Sequence, residues 1–297
     1  MKNKLTYLLA GSALAASYAS AEIVLTDDLS AYGYIDTAYV SASDLSSING
    51  AVAEFELGFA FTPVESPWSA VAEIAFTDGN GIRRAGSDAE FETVTISYAY
   101  SDELSFTVGH ILSYQGFETY DATGLYQFSY QGFGNTYVYS SDYAFGASAD
   151  YATDTYGVGV WVGEGGGDEF VYELFAQYTG VEGLTATAVY ADDAGYETYN
   201  LWASYEVDAF TFALEYTETE AFDDEVYMAL AYYSFGDAGL TLRYSTGELG
   251  GTDFDRYTIS PSYAFSDNVF GLLEYSLDDV EGAGEDSQFA AELIFSF

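Results

Sequence analysis

The 297-residue chain has no cysteine. Disulfides, thiolate metal sites and cysteine nucleophiles are therefore excluded. It has three prolines and a single histidine, His110. One histidine without cysteine is poor material for a zinc site or a histidine-based triad. No G-x-S-x-G motif accompanies it. Basic residues are nearly as scarce. Lys2, Lys4, Arg83, Arg84, Arg243 and Arg256 face 48 acids, for a formal net charge of −42. Nucleic acid is excluded as a partner, because its binding needs Lys and Arg to neutralise phosphates. Long apolar runs are also missing. No stretch is long and uncharged enough to cross a bilayer as a helix, so any passage must be made by strands.

What the chain has instead is aromatic residues and glycine: 30 Tyr, 22 Phe and 30 Gly. Tyr, Phe, Val and Thr suit a pleated surface, and 19% aromatics argue against disorder despite the charge. Mean hydropathy is +0.02. That value arises naturally when one strand face is apolar and the other polar. Residues 1–21 read as a signal peptide. Lys2 and Lys4 form the basic start, Leu5 to Ala16 the apolar core, and Ala19-Ser20-Ala21 the cleavage site.

From residue 22 onward the sequence alternates. At its end, Phe289, Ala291, Leu293, Phe295 and Phe297 share one face, while Gln288, Ala290, Glu292, Ile294 and Ser296 share the other. About sixteen such segments follow one another. They lie at 29–41, 51–62, 68–77, 91–100, 104–113, 141–153, 155–163, 169–179, 183–192, 196–207, 209–219, 224–235, 238–247, 253–265, 268–278 and 287–297. Links after even segments are short, such as Thr153-Asp-Thr155 and Ser266-Asp-Asn268. Links after odd segments are longer and acidic. Tyr98, Tyr100, Tyr205, Tyr216, Tyr263 and Phe297 fall towards strand ends, where interfacial aromatic girdles belong. The pattern predicts an all-β, antiparallel transmembrane barrel over residues 22–297, with short periplasmic turns and long acidic extracellular loops. Sixteen strands leave room for an aqueous lumen.

One link stands apart. Residues 114–140 are long and aromatic, which marks a functional segment. With the apolar face towards lipid, Asp36, Glu54, Glu56, Glu73, Asp150, Glu173, Glu206, Glu215 and Glu274 point into the lumen. A ring of wet carboxylates would enrich cations. Arg243 and Arg256 also point inward, on neighbouring strands. They could form a basic patch across a constriction from Glu118 and Asp121, or simply pair with wall acids. Arg83 and Arg84 fall in the second long link. They could pair locally with Asp88 and Glu90, reach a neighbouring subunit, or meet anionic lipid. The Asp192-Asp193 and Asp223-Asp224-Glu225 clusters offer hard oxygen ligands for calcium, or merely a solvated acidic face.

Three passages carry a family resemblance: Leu29-Ser-Ala-Tyr-Gly-Tyr-Ile-Asp36, the stretch from Gly109 to Gly116-Phe-Glu118, and the terminal Phe297. The chain resembles Gram-negative outer-membrane porins, in particular the OmpL-like β-barrel porins. The resemblance implies passive diffusion of ions and small hydrophilic solutes, and a third long loop folded into the lumen. It also implies a terminal Phe297 read by the barrel-insertion machinery, a homotrimer in outer-membrane lipid, and no cofactor or enzymatic activity. Two alternatives stay open: a structural or adhesive barrel whose lumen the 114–140 loop closes, and an outer-membrane enzyme using His110.

Overall fold

A computed structural model describes residues 22–42, 49–77, 89–165, 170–193 and 195–297. The signal peptide assigned to 1–21 lies outside the described residues, as do Arg83, Arg84 and Asp88. A two-residue strand, β1 (Ile23–Val24), pairs with the start of β2. Sixteen long strands follow: β2 (Leu29–Ala42), β3 (Asn49–Phe61), β4 (Trp68–Phe76), β5 (Ala89–Ala99), β6 (Leu104–Leu112), β7 (Tyr143–Ala152), β8 (Tyr156–Glu164) and β9 (Phe170–Tyr178), then β10 (Leu184–Asp193), β11 (Tyr196–Val207), β12 (Phe210–Thr219), β13 (Asp224–Phe235), β14 (Ala238–Leu249), β15 (Thr252–Ser266), β16 (Val269–Val280) and β17 (Gly284–Ser296). Each pairs antiparallel with the next, and β17 pairs with β2, closing the barrel. The expected segments match these strands to within three residues at either end.

The closing seam runs to the last residue. The N–H of Phe297 donates to the Gly33 carbonyl at 2.9 Å, and the N–H of Gly33 donates back at 2.8 Å. A closed sheet has no edge and leaves no row of unpaired backbone groups facing lipid.

Alternation sets the outward face. Leu174, Leu201, Leu214, Leu242, Ile259, Leu273 and Leu293 are exposed there in an aliphatic band. Aromatic pairs flank the band at both ends. Trp68–Tyr98 at 4.7 Å and Phe210–Tyr233 at 4.5 Å lie towards the end holding the termini. Tyr216–Tyr227 at 5.0 Å and Tyr244–Tyr257 at 5.0 Å lie towards the other. An apolar belt between two aromatic girdles is the surface pattern typical of barrels that sit in lipid.

Among the described hairpin links, the two ends differ less than the sequence suggests. At the end opposite the termini, several acidic links shrink because their residues join the strands. Only Gly250 and Gly251 connect β14 to β15. Their φ values of 59° and 75° are what a two-residue hairpin turn of the I′ type requires, and glycine adopts them without strain. Asp192 and Asp224, from the two suggested calcium clusters, accept backbone N–H bonds from Gly195 at 2.8 Å and Gly250 at 2.6 Å. They act there as turn caps. The displaced acids become a row on the outer strand face. Glu218 stands opposite Glu225, Glu225 opposite Glu248, and Glu248 opposite Asp253. Asp255 stands opposite Asp279, and Asp279 opposite Glu285.

Candidate functional site in the barrel lumen

Among the described links, the connection between β6 and β7, residues 113–142, is the one that turns inside. Its apolar side chains land on inward-facing apolar wall residues. Phe117 and Tyr126 pack with Trp202, Met228 and Leu230. Phe128, fully buried, packs with Ala38, Leu272 and Ala290. Val138 and Tyr139 pack with Val226, Leu249 and Phe254. Ala122 packs with Tyr34 and Ile294. Each large side chain buried in this way contributes roughly 1.5–3 kcal/mol.

The backbone of a buried loop needs partners, since an unpaired buried N–H is costly. Wall carboxylates supply them. Glu173 accepts the Tyr114 N–H at 2.7 Å. Glu215 accepts the Phe117 N–H at 2.9 Å, and also bonds from Asn200, Tyr139 and Gln131. Glu274 accepts the Ser129 N–H at 2.9 Å, and Asp278 the Gly134 N–H at 3.0 Å. Four inward acids thus hold four loop amides. Acceptors that carry full charge make the stronger kind of hydrogen bond.

This changes the reading of the nine inward acids. They do not form a wet ring. Asp36, Glu54, Glu56, Asp150, Glu173, Glu215 and Glu274 are buried. Glu73 is half-buried and accepts the Tyr32 hydroxyl at 2.5 Å. Glu206 is exposed at the rim, beside the β10–β11 end of the sheet that faces the termini. Glu54 accepts the Tyr34 hydroxyl at 2.8 Å. Asp150 accepts Ser148 Oγ at 2.7 Å and the Tyr114 hydroxyl. Three buried wall acids fall outside those nine. Asp278 and Glu292 continue the alternation of β16 and β17 and were open to reading. Glu92 follows a bulge in the β4–β5 pairing, which shifts the register unseen.

The expected constriction is also rearranged. Arg243 and Arg256 do point inward, but they do not stand across open space from Glu118 and Asp121. Arg243 pairs directly with Glu118, both side chains being buried. The nitrogen that meets Glu118 also donates to the Ser129 carbonyl at 2.7 Å, and the other terminal nitrogen donates to the Tyr130 carbonyl at 2.8 Å. Burial pushes the Glu118 carboxyl above the ordinary carboxylate range, and the adjacent guanidinium pulls it partly back. Arg256 grips both oxygens of Asp278 at 2.7 Å and lies 3.9 Å from Glu274. Asp121 sits elsewhere, with Glu56 and Glu92. The carboxylates of these three approach within 4.8 Å of one another, and each has further partners. His110 lies on β6, where its Nδ1–H donates to the Glu92 carbonyl and its ring stacks on Tyr143 at 5.8 Å.

The loop covers the β10–β17 wall more fully than the facing one. Tyr32, Glu73, Ser97, Thr107 and Phe175 project inward and stay half-buried, as do Thr119 and Asp121 on the loop. These side chains keep part of their surface accessible along that side. A closed sixteen-stranded barrel narrowed from within by one long loop is the arrangement to be compared.

Solved structures share the barrel. A point mutant of Rh. blastica porin matches with a TM-score of 0.66 at 16% identity, over 91% of this chain and 100% of that one. The trimer form of OmpT, an outer membrane protein of Vibrio cholerae, matches at 0.62 and 14%, over 91% and 99%. This chain has the porin barrel fold. No protein-family model and no curated protein matches the sequence. At these identities the porin likeness concerns the fold.

Proposed function

We propose that the protein is an outer-membrane channel for passive diffusion of ions and small hydrophilic solutes, preferring cations, and of the OmpL-like kind. The supporting observation is the lumen itself: a polar interior that the 113–142 loop narrows against one wall while half-buried polar side chains remain along the other. The charge balance supports the preference. Among the described residues, Arg243 and Arg256 are the only Lys or Arg, and both are matched by acids. The whole chain has 48 acids against six basic residues, a field that concentrates cations.

The remaining parts of the reading follow from it. Residues 1–21 direct export and are removed. The apolar belt contacts outer-membrane lipid. Phe297 is recognised by the barrel-insertion machinery, and three chains assemble as a homotrimer. The test is conductance in a planar bilayer. Purified, heat-modifiable protein is expected to give discrete current steps. Intact barrels that carry no current would favour a structural barrel closed by its own loop, a reading supported by the full burial of the loop's Phe128 against the wall.

A further inference from the structure

Seven of the nine inward acids are buried, and Glu206 lies at the rim. Glu73 is the one of the nine that stands within the barrel and stays half-buried. It belongs to β4, on the wall that the inner loop leaves less covered. Three neighbouring strands build its place. Tyr32 on β2 stands opposite Gly58 on β3, and Gly58 stands opposite Glu73. Because position 58 carries no side chain, the Tyr32 phenol lies across β3, and its hydroxyl donates to Glu73 at 2.5 Å. A Cβ at Gly58 would run into that ring. On the other side, the pairing of β4 with β5 slips between Ala72 and Ile74, and Glu73 falls in the slip. An irregularity of this kind re-aims a side chain.

An ion in transit responds most to a charge it can approach, since attraction falls with distance and salt water screens the rest. The buried wall acids Glu173, Glu215 and Glu274 accept loop amides, and the loop acid Glu118 is matched by Arg243. Glu73 differs from both groups. Among the described residues it accepts one hydrogen bond, from a neutral phenol, which holds the carboxylate without cancelling its charge. An ionised carboxylate has about four acceptor sites, so most of them stay free for the hydration water of a cation. Asp121 of the loop lies near enough to the Tyr32 hydroxyl to act on it through charge, which puts the Tyr32–Glu73 pair beside the loop and not at a rim. We propose that Glu73 sets the cation preference of the channel, with Tyr32 as its positioning residue. The inference rests on the channel reading and names the side chain through which the acid excess acts on passing ions.

The test is the K⁺-to-Cl⁻ permeability ratio of single variants of the full chain, read from reversal potentials in a planar bilayer. Glu73→Gln keeps the shape and an acceptor for Tyr32 while removing the charge. It should lower the ratio about fivefold, the factor that one unit charge at roughly 4 Å makes in water. Glu73→Asp keeps the charge and should stay within about twofold of the unmodified protein. Glu206→Gln, at the rim, should leave the ratio unchanged. Tyr32→Phe keeps the ring and releases the carboxylate, so the ratio should fall, but by less than in Glu73→Gln. A ratio unmoved in Tyr32→Phe removes the positioning role of the phenol. A ratio unmoved in Glu73→Gln, or lowered as far in Glu73→Asp, overturns the proposal. The unmodified protein separates the two ideas. Absent current sinks the channel reading, whereas a cation preference that survives Glu73→Gln sinks this inference alone.

Discussion

The carboxylate of Glu215, on β12, accepts the backbone N–H of Phe117, 98 residues earlier in the chain, at 2.9 Å. The same carboxylate takes bonds from Asn200, Tyr139 and Gln131. One acid therefore ties the entry of the inner loop, its exit and the neighbouring wall strand together.

Replacing that acid should loosen the loop. Glu215→Leu strands several buried donors, at roughly 1–3 kcal/mol for each that water cannot reach. A lower unfolding temperature and larger, noisier single-channel currents are expected. Heat-modifiability on gels and bilayer recordings would show both. Unchanged values in both assays would mean that Glu215 does not hold the loop.

Glu118 and Arg243 form a buried ion pair, so losing one partner should hurt more than losing both. Arg243→Met leaves Glu118 buried and uncompensated, at about 3–5 kcal/mol. Adding Glu118→Gln should recover part of that. A double-mutant cycle on barrel unfolding measures the coupling. Additive losses would show that the pair contributes nothing as a pair.

Gly33 sits where the barrel closes. A Cβ placed there would lie 2.2 Å from the Glu56 carbonyl oxygen and 3.1 Å from the Phe297 ring. Gly33→Ala should destabilise the barrel by about 1–3 kcal/mol, the cost of overpacking, and slow its assembly. Refolding into detergent, followed by gel shift, would report both effects.

The outer row of opposed carboxylates, from Glu218 and Glu225 to Asp279 and Glu285, should make the barrel gain stability with salt. Like charges directly across a strand pair repel, and at 1 M salt the screening length is roughly 3 Å. The unfolding temperature is expected to rise with NaCl concentration. A flat or falling curve would show that the row is not a source of strain.

Much of this was legible in the sequence, and the limits have identifiable causes. Strand bounds could be read because lipid demands an apolar outer face, as Phe289 to Phe297 display. In β13 alternation is weak because both faces are apolar: Tyr227 and Ala229 look outward, while Met228 and Leu230 lie under Phe117 and Tyr126. Alternation placed Glu173, Glu215 and Glu274 on the inward face. It could not say that loop amides rather than water would meet them, because those contacts span 59, 98 and 145 residues. The same long range separated Glu118, bound by Arg243, from Asp121, drawn to Glu56 and Glu92.

The most direct test of the channel reading is the reversal potential of the purified protein in a planar bilayer under a steep KCl gradient. A cation-preferring lumen predicts a potential whose sign is set by K⁺ moving down its gradient, shrinking as total salt rises and screens the acids. A potential of the opposite sign, or one that stays at zero, would contradict it.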